Sequence, residues 1–119
     1  MSADPRHAPL EAGLGALTAS AAAALEAELG AETACTLHRD GRVTGGMKYH
    51  EGRLVAFRET ERAVRNAGDR SAVEEIRDRW RAEFARRRDA TRPSPPWVAY
   101  ATGGLEAATE ALRLFDDRR

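Results

Sequence analysis

The chain has 119 residues, enough for one domain with one modest core and too few for a second independent core. Its 19 basic and 19 acidic residues cancel, which argues against a nucleic-acid binder or an anionic-membrane binder that relies on long-range attraction. Apolar residues make up 42% of the chain but aromatic ones only 6%, so large core anchors are few and a second copy would help complete the core.

Every basic residue except Lys48 is arginine. With the abundant Ala and Gly, this bias is that of a GC-rich genome of the actinobacterial type and carries no function by itself. The lone Cys35 cannot form an intramolecular disulfide and fits a reducing cytoplasm as a buried thiol. His7, His38 and His50 share no metal-ligand spacing with one another or with Cys35, so no metal site is expected. Met1 to Pro9 contains Asp4 and Pro5 and no apolar run, so no secretory signal is expected. Leu10 to Leu29 is long enough to span a bilayer, but Glu11, Glu26 and Glu28 argue against it. A cytoplasmic protein without a membrane role is the expectation.

In chain order, residues 1–8 read as a polar tail and 9–119 as a single domain. Pro9 suits a first helical turn, and Leu10, Leu14, Leu17, Ala21, Leu25 and Leu29 give a helical stripe that ends at Gly30. Thr33 to Arg39 and Arg42 to Tyr49 read as a β-hairpin about Asp40-Gly41. A three-residue loop, Asp40-Gly41-Arg42, puts Cys35, Leu37, Val43 and Met47 on one face and Thr36, His38 and Thr44 on the other. Gly45-Gly46 would weaken the second strand and admit a bulge or a closely approaching ligand.

A second helix is expected from Gly52 to Asn66 on Leu54, Phe57 and Val64, and a third from the capping box Ser71-x-x-Glu74 on Val73, Ile76, Trp80 and Phe84. Arg86-Arg87-Arg88 suits the negative end of that helix. Pro93 to Pro96 reads as a stiff connector, Trp97 to Tyr100 as a short apolar segment or strand, and Thr102-Gly103-Gly104 as the turn into a last helix on Leu105, Ala108, Leu112 and Phe115. The class predicted is α+β, mostly helical.

Chemistry concentrates at the strand-to-helix junction. Tyr49, His50, Glu51, Arg58 and Glu59 bring a phenol, an imidazole, carboxylates and a guanidinium beside Gly45-Gly46, with His38 able to join from the polar strand face. In a concave junction Glu59 could accept a proton and Tyr49 or His38 donate one. A salt-bridged helix surface with a packed tyrosine accounts for the same residues. Gly103-Gly104 before a helix could also meet an anion, but no Lys-Ser/Thr follows.

The length, the Ala/Arg composition and the stretches KYHEGR (48–53) and WVAYATGG (97–104) resemble the small lysinoalanine-forming proteins of duramycin- and cinnamycin-type lanthipeptide pathways. The likeness would span Leu10 to Phe115 without a diagnostic motif. It implies a modified precursor peptide as substrate, no metal or redox cofactor, and addition of a peptide Lys amine to dehydroalanine. The Lys, with an ordinary pKa of ~10.4, must lose its proton, and its nitrogen must lie within about 3.5 Å of the alkene carbon. Under that resemblance Glu59, or a carboxylate of the substrate itself, accepts the proton, and His38, Tyr49 or Arg58 stabilises the enolate or orients the peptide. His50, Gly45, Gly46, Trp97 and Tyr100 would contact the substrate. The other class of reading is a non-catalytic module that binds a peptide or protein. A homodimer is expected under both, and nucleic acid under neither.

Overall fold

A computed structural model of the chain describes residues 8–31, 45–66 and 68–117. Among them are four helices and no strand: α1 (Ala8–Ala31), α2 (Gly45–Arg65), α3 (Arg70–Arg88) and α4 (Pro95–Asp116). The expected α+β class is therefore overturned. Residues 45–49, assigned above to the second hairpin strand, are the first turns of α2; the remainder of the hairpin, with Cys35 and His38, lies outside the described residues. Trp97 to Tyr100 and Gly103-Gly104 are helical too, all inside α4.

Both local misreadings have a physical reason. Glycine is a poor helix former, yet Gly52, Gly103 and Gly104 occupy positions where no other residue fits. A β-carbon on Gly52 would lie 2.0 Å from the Tyr100 carbonyl oxygen, and one on Gly103 would lie 2.1 Å from the Tyr49 carbonyl oxygen. The contacts are reciprocal: Tyr49-His50-Glu51-Gly52 of α2 meets Tyr100-Ala101-Thr102-Gly103 of α4, each glycine against the other tetrad's tyrosine carbonyl. One residue on, a β-carbon at Gly104 would fall 2.1 Å from Cε3 of Trp80. Gly103 and Gly104, which looked like a turn, are close-packing positions between helices. The prolines behave similarly. Pro95-Pro96 does not prolong a connector but opens α4, where the first N–H groups have no intrahelical partner to lose. Val98 N–H then donates to the Ser94 carbonyl at 2.9 Å.

The α2/α4 pair is the most extensive helix contact; α3 packs on α4 and α1 on α2. Ala21, Leu54, Ala56, Phe57, Ile76, Trp80, Ala107 and Ala108 form one buried cluster. Leu10, Leu14, Val64, Val73, Ala111 and Leu112 form a second, at the other end of the helices. Phe84, placed on the α3 stripe by its spacing, is only half-buried and lies under the Arg88 guanidinium at 5.4 Å. The start of α3 also differs from the expected capping box. Asp69 is the N-cap and accepts the N–H groups of Ser71 and Ala72, the Ser71 hydroxyl donates to it, and Glu74 pairs with Arg70.

α1 is long and apolar enough over Ala8–Glu28 to cross a membrane by length and composition. In this structure it lies along α2 with Leu10, Leu14 and Ala21 buried, while Ala12, Ala16, Ala19 and Ala23 of its outer face are exposed.

The glycine contacts give a direct test in urea unfolding. Gly52→Ala and Gly104→Ala should each lower stability by about 3 kcal/mol, the upper end for overpacking a filled core. Gly15→Ala, with nothing within 4 Å of its β-carbon, should raise it by about 0.5–1 kcal/mol through helix propensity alone.

Candidate functional site

A hollow of about 500 Å³ lies where α2, α3 and α4 meet. Glu59 comes from α2, Arg79, Trp80, Glu83 and Arg86 from α3, and Tyr100 from α4. The Gly104 contact seats the Trp80 ring against α4 and leaves its indole edge toward α2. There Nε1–H donates to Glu59 Oε1 at 2.7 Å, and Arg79 Nη1 lies 3.7 Å from Glu59 Oε2. Glu59 is thus held by a neutral donor and a cation, with its side chain 24% exposed.

Tyr100 packs between two indoles, its ring centroid 5.3 Å from that of Trp80 and 5.3 Å from that of Trp97. Burial raises its phenol pKa above the usual 10, and the carboxylates of Glu51, Glu59 and Glu83 raise it further. Trp97 is the exposed end of this aromatic row, 40% accessible, with Lys48 Nζ 4.6 Å and the Arg87 guanidinium carbon 5.1 Å from its ring centre. Lys48 also pairs with Glu51 at 3.1 Å. Glu83 accepts hydrogen bonds from both Arg86 and Arg87, and Arg87 chiefly holds its carboxyl below the usual range. The walls are thus aromatic, the carboxylates lie around Tyr100, and arginines line the rim.

The residues singled out in the sequence divide among three places. Glu59, Tyr100 and Trp97 belong to this hollow and its edge. Tyr49 and His50 do not: Tyr49 Oη donates to Glu106 Oε1 of α4 at 3.0 Å, beside the Arg53–Glu110 ion pair of 3.0 Å. Burial and then Glu106 raise the Tyr49 pKa as well. His50 stacks edge-on to Tyr49 with ring centroids 5.3 Å apart, and its buried Nδ1 has no hydrogen-bond partner. Arg58 is exposed on the side of α2 that faces α1. Gly45 opens α2, and Gly46 is exposed with the Glu28 carboxylate beside it, so neither borders the hollow. His38 lies outside the described residues. The expected concave junction of Glu59, Tyr49 and Gly45-Gly46 is not formed.

Trp80, Glu83, Arg79 and Arg86 were absent from the candidates. Their spacing marks Trp80 as core and Glu75–Arg79 and Glu83–Arg87 as helix-supporting pairs; the second forms, whereas Arg79 lies beside Glu59 of α2. Nothing local signals that Glu59 and Trp80, 21 positions apart, share a hydrogen bond. Among the described residues no group of three or more His, Cys, Asp or Glu could hold a metal ion. No protein-family profile, curated protein or solved structure matches the chain.

Glu59→Ala would leave the buried Trp80 N–H unpaired and should cost about 1–3 kcal/mol, whereas Glu59→Gln keeps an acceptor and should cost less; urea unfolding followed by tryptophan fluorescence separates the two. For both tyrosines folding favours the neutral phenol. Their stabilising contribution is complete below pH 10, the ordinary value, and is lost as pH rises through the higher folded values. A 295 nm titration should therefore show both phenols ionising later in the folded protein than in urea.

Proposed function

We propose that the protein binds a peptide in the hollow between α2, α3 and α4 and selects a basic side chain of that peptide. The observation that carries this is the surround of Tyr100: two indole rings at 5.3 Å and three carboxylates, Glu51, Glu59 and Glu83, acting on one phenol. Aromatic faces attract an ammonium or guanidinium, and a nearby carboxylate adds to the attraction. A hollow of about 500 Å³ open to solvent takes a few residues of a chain, and its paired charges offer hydrogen bonds to a peptide backbone. The exposed alanine face of α1 favours the dimeric form of such a module, in which a second copy covers it.

The lysinoalanine resemblance adds a chemical step to the same binding mode. A Lys ammonium held beside Glu59 gives its proton to that carboxylate. The amine then forms an N–C bond to the dehydroalanine methylene carbon as the alkene electrons move toward the carbonyl, and the resulting enolate takes at its α-carbon the proton held by Glu59, leaving a secondary ammonium and the free carboxylate. Glu59 remains the base in this scheme. The role first considered for Tyr49 passes to Arg79 or Tyr100, which share the hollow with Glu59.

One titration tests the binding and one assay the chemistry, both with a dehydrated, thioether-cyclised lanthipeptide precursor that contains Lys. Trp80 and Trp97 fluorescence should change saturably with peptide. Affinity should fall about tenfold, near 1.4 kcal/mol, for Glu59→Gln or when the peptide Lys is replaced by norleucine. Equal affinity for the norleucine peptide would remove the cation from the recognition, and absence of any saturable change would remove the peptide. Where binding holds, protein-dependent loss of thiol-reactive dehydroalanine assigns the crosslinking step; retention of the alkene leaves a binding module alone.

A further inference from the structure

The arginines of α2 and α3 are not treated alike by the fold. Arg70, Arg77, Arg79, Arg81, Arg86, Arg87 and Arg88, the arginines of α3, all lie within 4.0 Å of a carboxylate. On α2, Arg53 pairs with Glu110. Arg58, Arg62 and Arg65 are exposed on one face of α2 and have no ion-pair partner among the described residues.

Glu61 explains the difference. It stands three residues after Arg58 and four before Arg65, the spacing at which a helix pairs opposite charges. Instead it turns to α1, where its Oε1 meets the Thr18 hydroxyl. That hydroxyl also lies 2.9 Å from the Leu14 carbonyl oxygen, so the contact ties Glu61 to the α1 backbone region. The carboxylate that could neutralise the arginine row is committed to the helix-helix seam.

The result is a hollow of about 360 Å³ between α1 and α2, lined by Thr18, Arg58, Glu61, Arg62 and Arg65. Three arginines and one glutamate line it, and Arg62 also borders a neighbouring hollow with Glu59 and Glu75. Glu11 borders only the adjoining smaller hollow, which it shares with Arg65. Planar guanidiniums pair bidentately with phosphate oxygens, which an ammonium does not reproduce. Arg58 and Arg65 are seven positions apart, about 10 Å along the helix axis. Two or three linked phosphates can engage the row along its length, each on its own guanidinium. No aromatic ring lines the hollow, so it has no platform for stacking bases and would recognise phosphate alone.

We propose that this hollow is a second binding site, distinct from the one around Tyr100, for a small ligand bearing two or more linked phosphate groups. Thr18 borders the ligand from α1, but its one hydroxyl proton is already directed at Glu61 and the Leu14 carbonyl, so the contacts to phosphate are those of the three arginines.

Inorganic pyrophosphate is the probe, added to the intact protein in phosphate-free buffer, with sodium chloride at matched ionic strength as control. Thermal unfolding should shift upward with the logarithm of the pyrophosphate concentration above the dissociation constant, because a ligand that binds only the folded state stabilises it by mass action. In the R58Q/R62Q/R65Q variant, with its helical circular dichroism intact, the dissociation constant read from that dependence should rise at least about tenfold, the loss of one charge-assisted hydrogen bond or more. Should that variant not fold, Arg62→Gln alone should weaken binding, and Glu61→Gln, which removes the one negative charge of the site, should tighten it. The proposal is overturned by an equal shift from sodium chloride or by an unchanged shift in the arginine variants. Tighter binding of a single-stranded oligonucleotide than of pyrophosphate through the same three arginines would also overturn it, in favour of a nucleic-acid backbone.

Discussion

The carbonyl oxygens of Tyr49 and Tyr100 lie where β-carbons on Gly103 and Gly52 would have to be. This mutual exclusion sets how closely α2 and α4 approach, and the other helices are arranged around that pair. Close approach leaves no room for large side chains in the seam, so the buried residues of α4 are alanines and glycines, Ala101, Gly103, Gly104, Ala107, Ala108 and Ala111, with Leu112. A chain short of aromatic anchors can form a tight core this way, by bringing backbones together so that dispersion and weak Cα–H···O contacts replace side-chain bulk.

The same seam places the candidate site. Gly104 accepts the Trp80 ring, and Trp80 in turn orients its N–H toward Glu59. Tyr100, whose carbonyl meets Gly52, borders the hollow and packs between Trp80, tilted against it, and Trp97, edge-on to it. The packing constraint and the recognition surface therefore share residues. Tyr49, the equivalent of Tyr100 in the α2 tetrad, is bound to Glu106 beside the Arg53–Glu110 pair. Two similar tetrads thus present their tyrosines to different surroundings, one inside a groove and one in an ion-paired seam.

Net charge hides how the charges are distributed. The zero sum conceals an α3 whose arginines are all matched and an α2 whose arginines at 58, 62 and 65 are not. Matched exposed pairs add little to stability but keep a surface neutral, whereas the unmatched row is where an anion would gain most. The difference arises because Glu61 bonds across to Thr18 instead of along its own helix.

Much of the helical framework was legible in the sequence. The stripes Leu54-Phe57-Val64 and Val73-Ile76-Trp80 are buried, and Leu10, Leu14 and Ala21 line the packed edge of α1, because apolar periodicity reports burial directly. Glu59 and Tyr100, singled out by their side-chain chemistry, line the hollow, with Trp97 beside Tyr100. The roles of the glycines and prolines were not legible. Gly45-Gly46, Gly103-Gly104 and Pro95-Pro96 are local breakers by propensity, and only the presence of a neighbouring helix turns Gly52, Gly103 and Gly104 into requirements of a packed seam. The site likewise needed the tertiary structure: Glu59 and Tyr49 are ten positions apart on one helix but face different neighbours, Trp80 on α3 and Glu106 on α4. Sequence by itself determined the apolar stripes at 54–64 and 73–80 that became buried helix faces, but not the helical state of 45–49 or 97–100. The tertiary structure decided which backbones touch and which charges meet, because both depend on contacts between segments that local spacing does not encode.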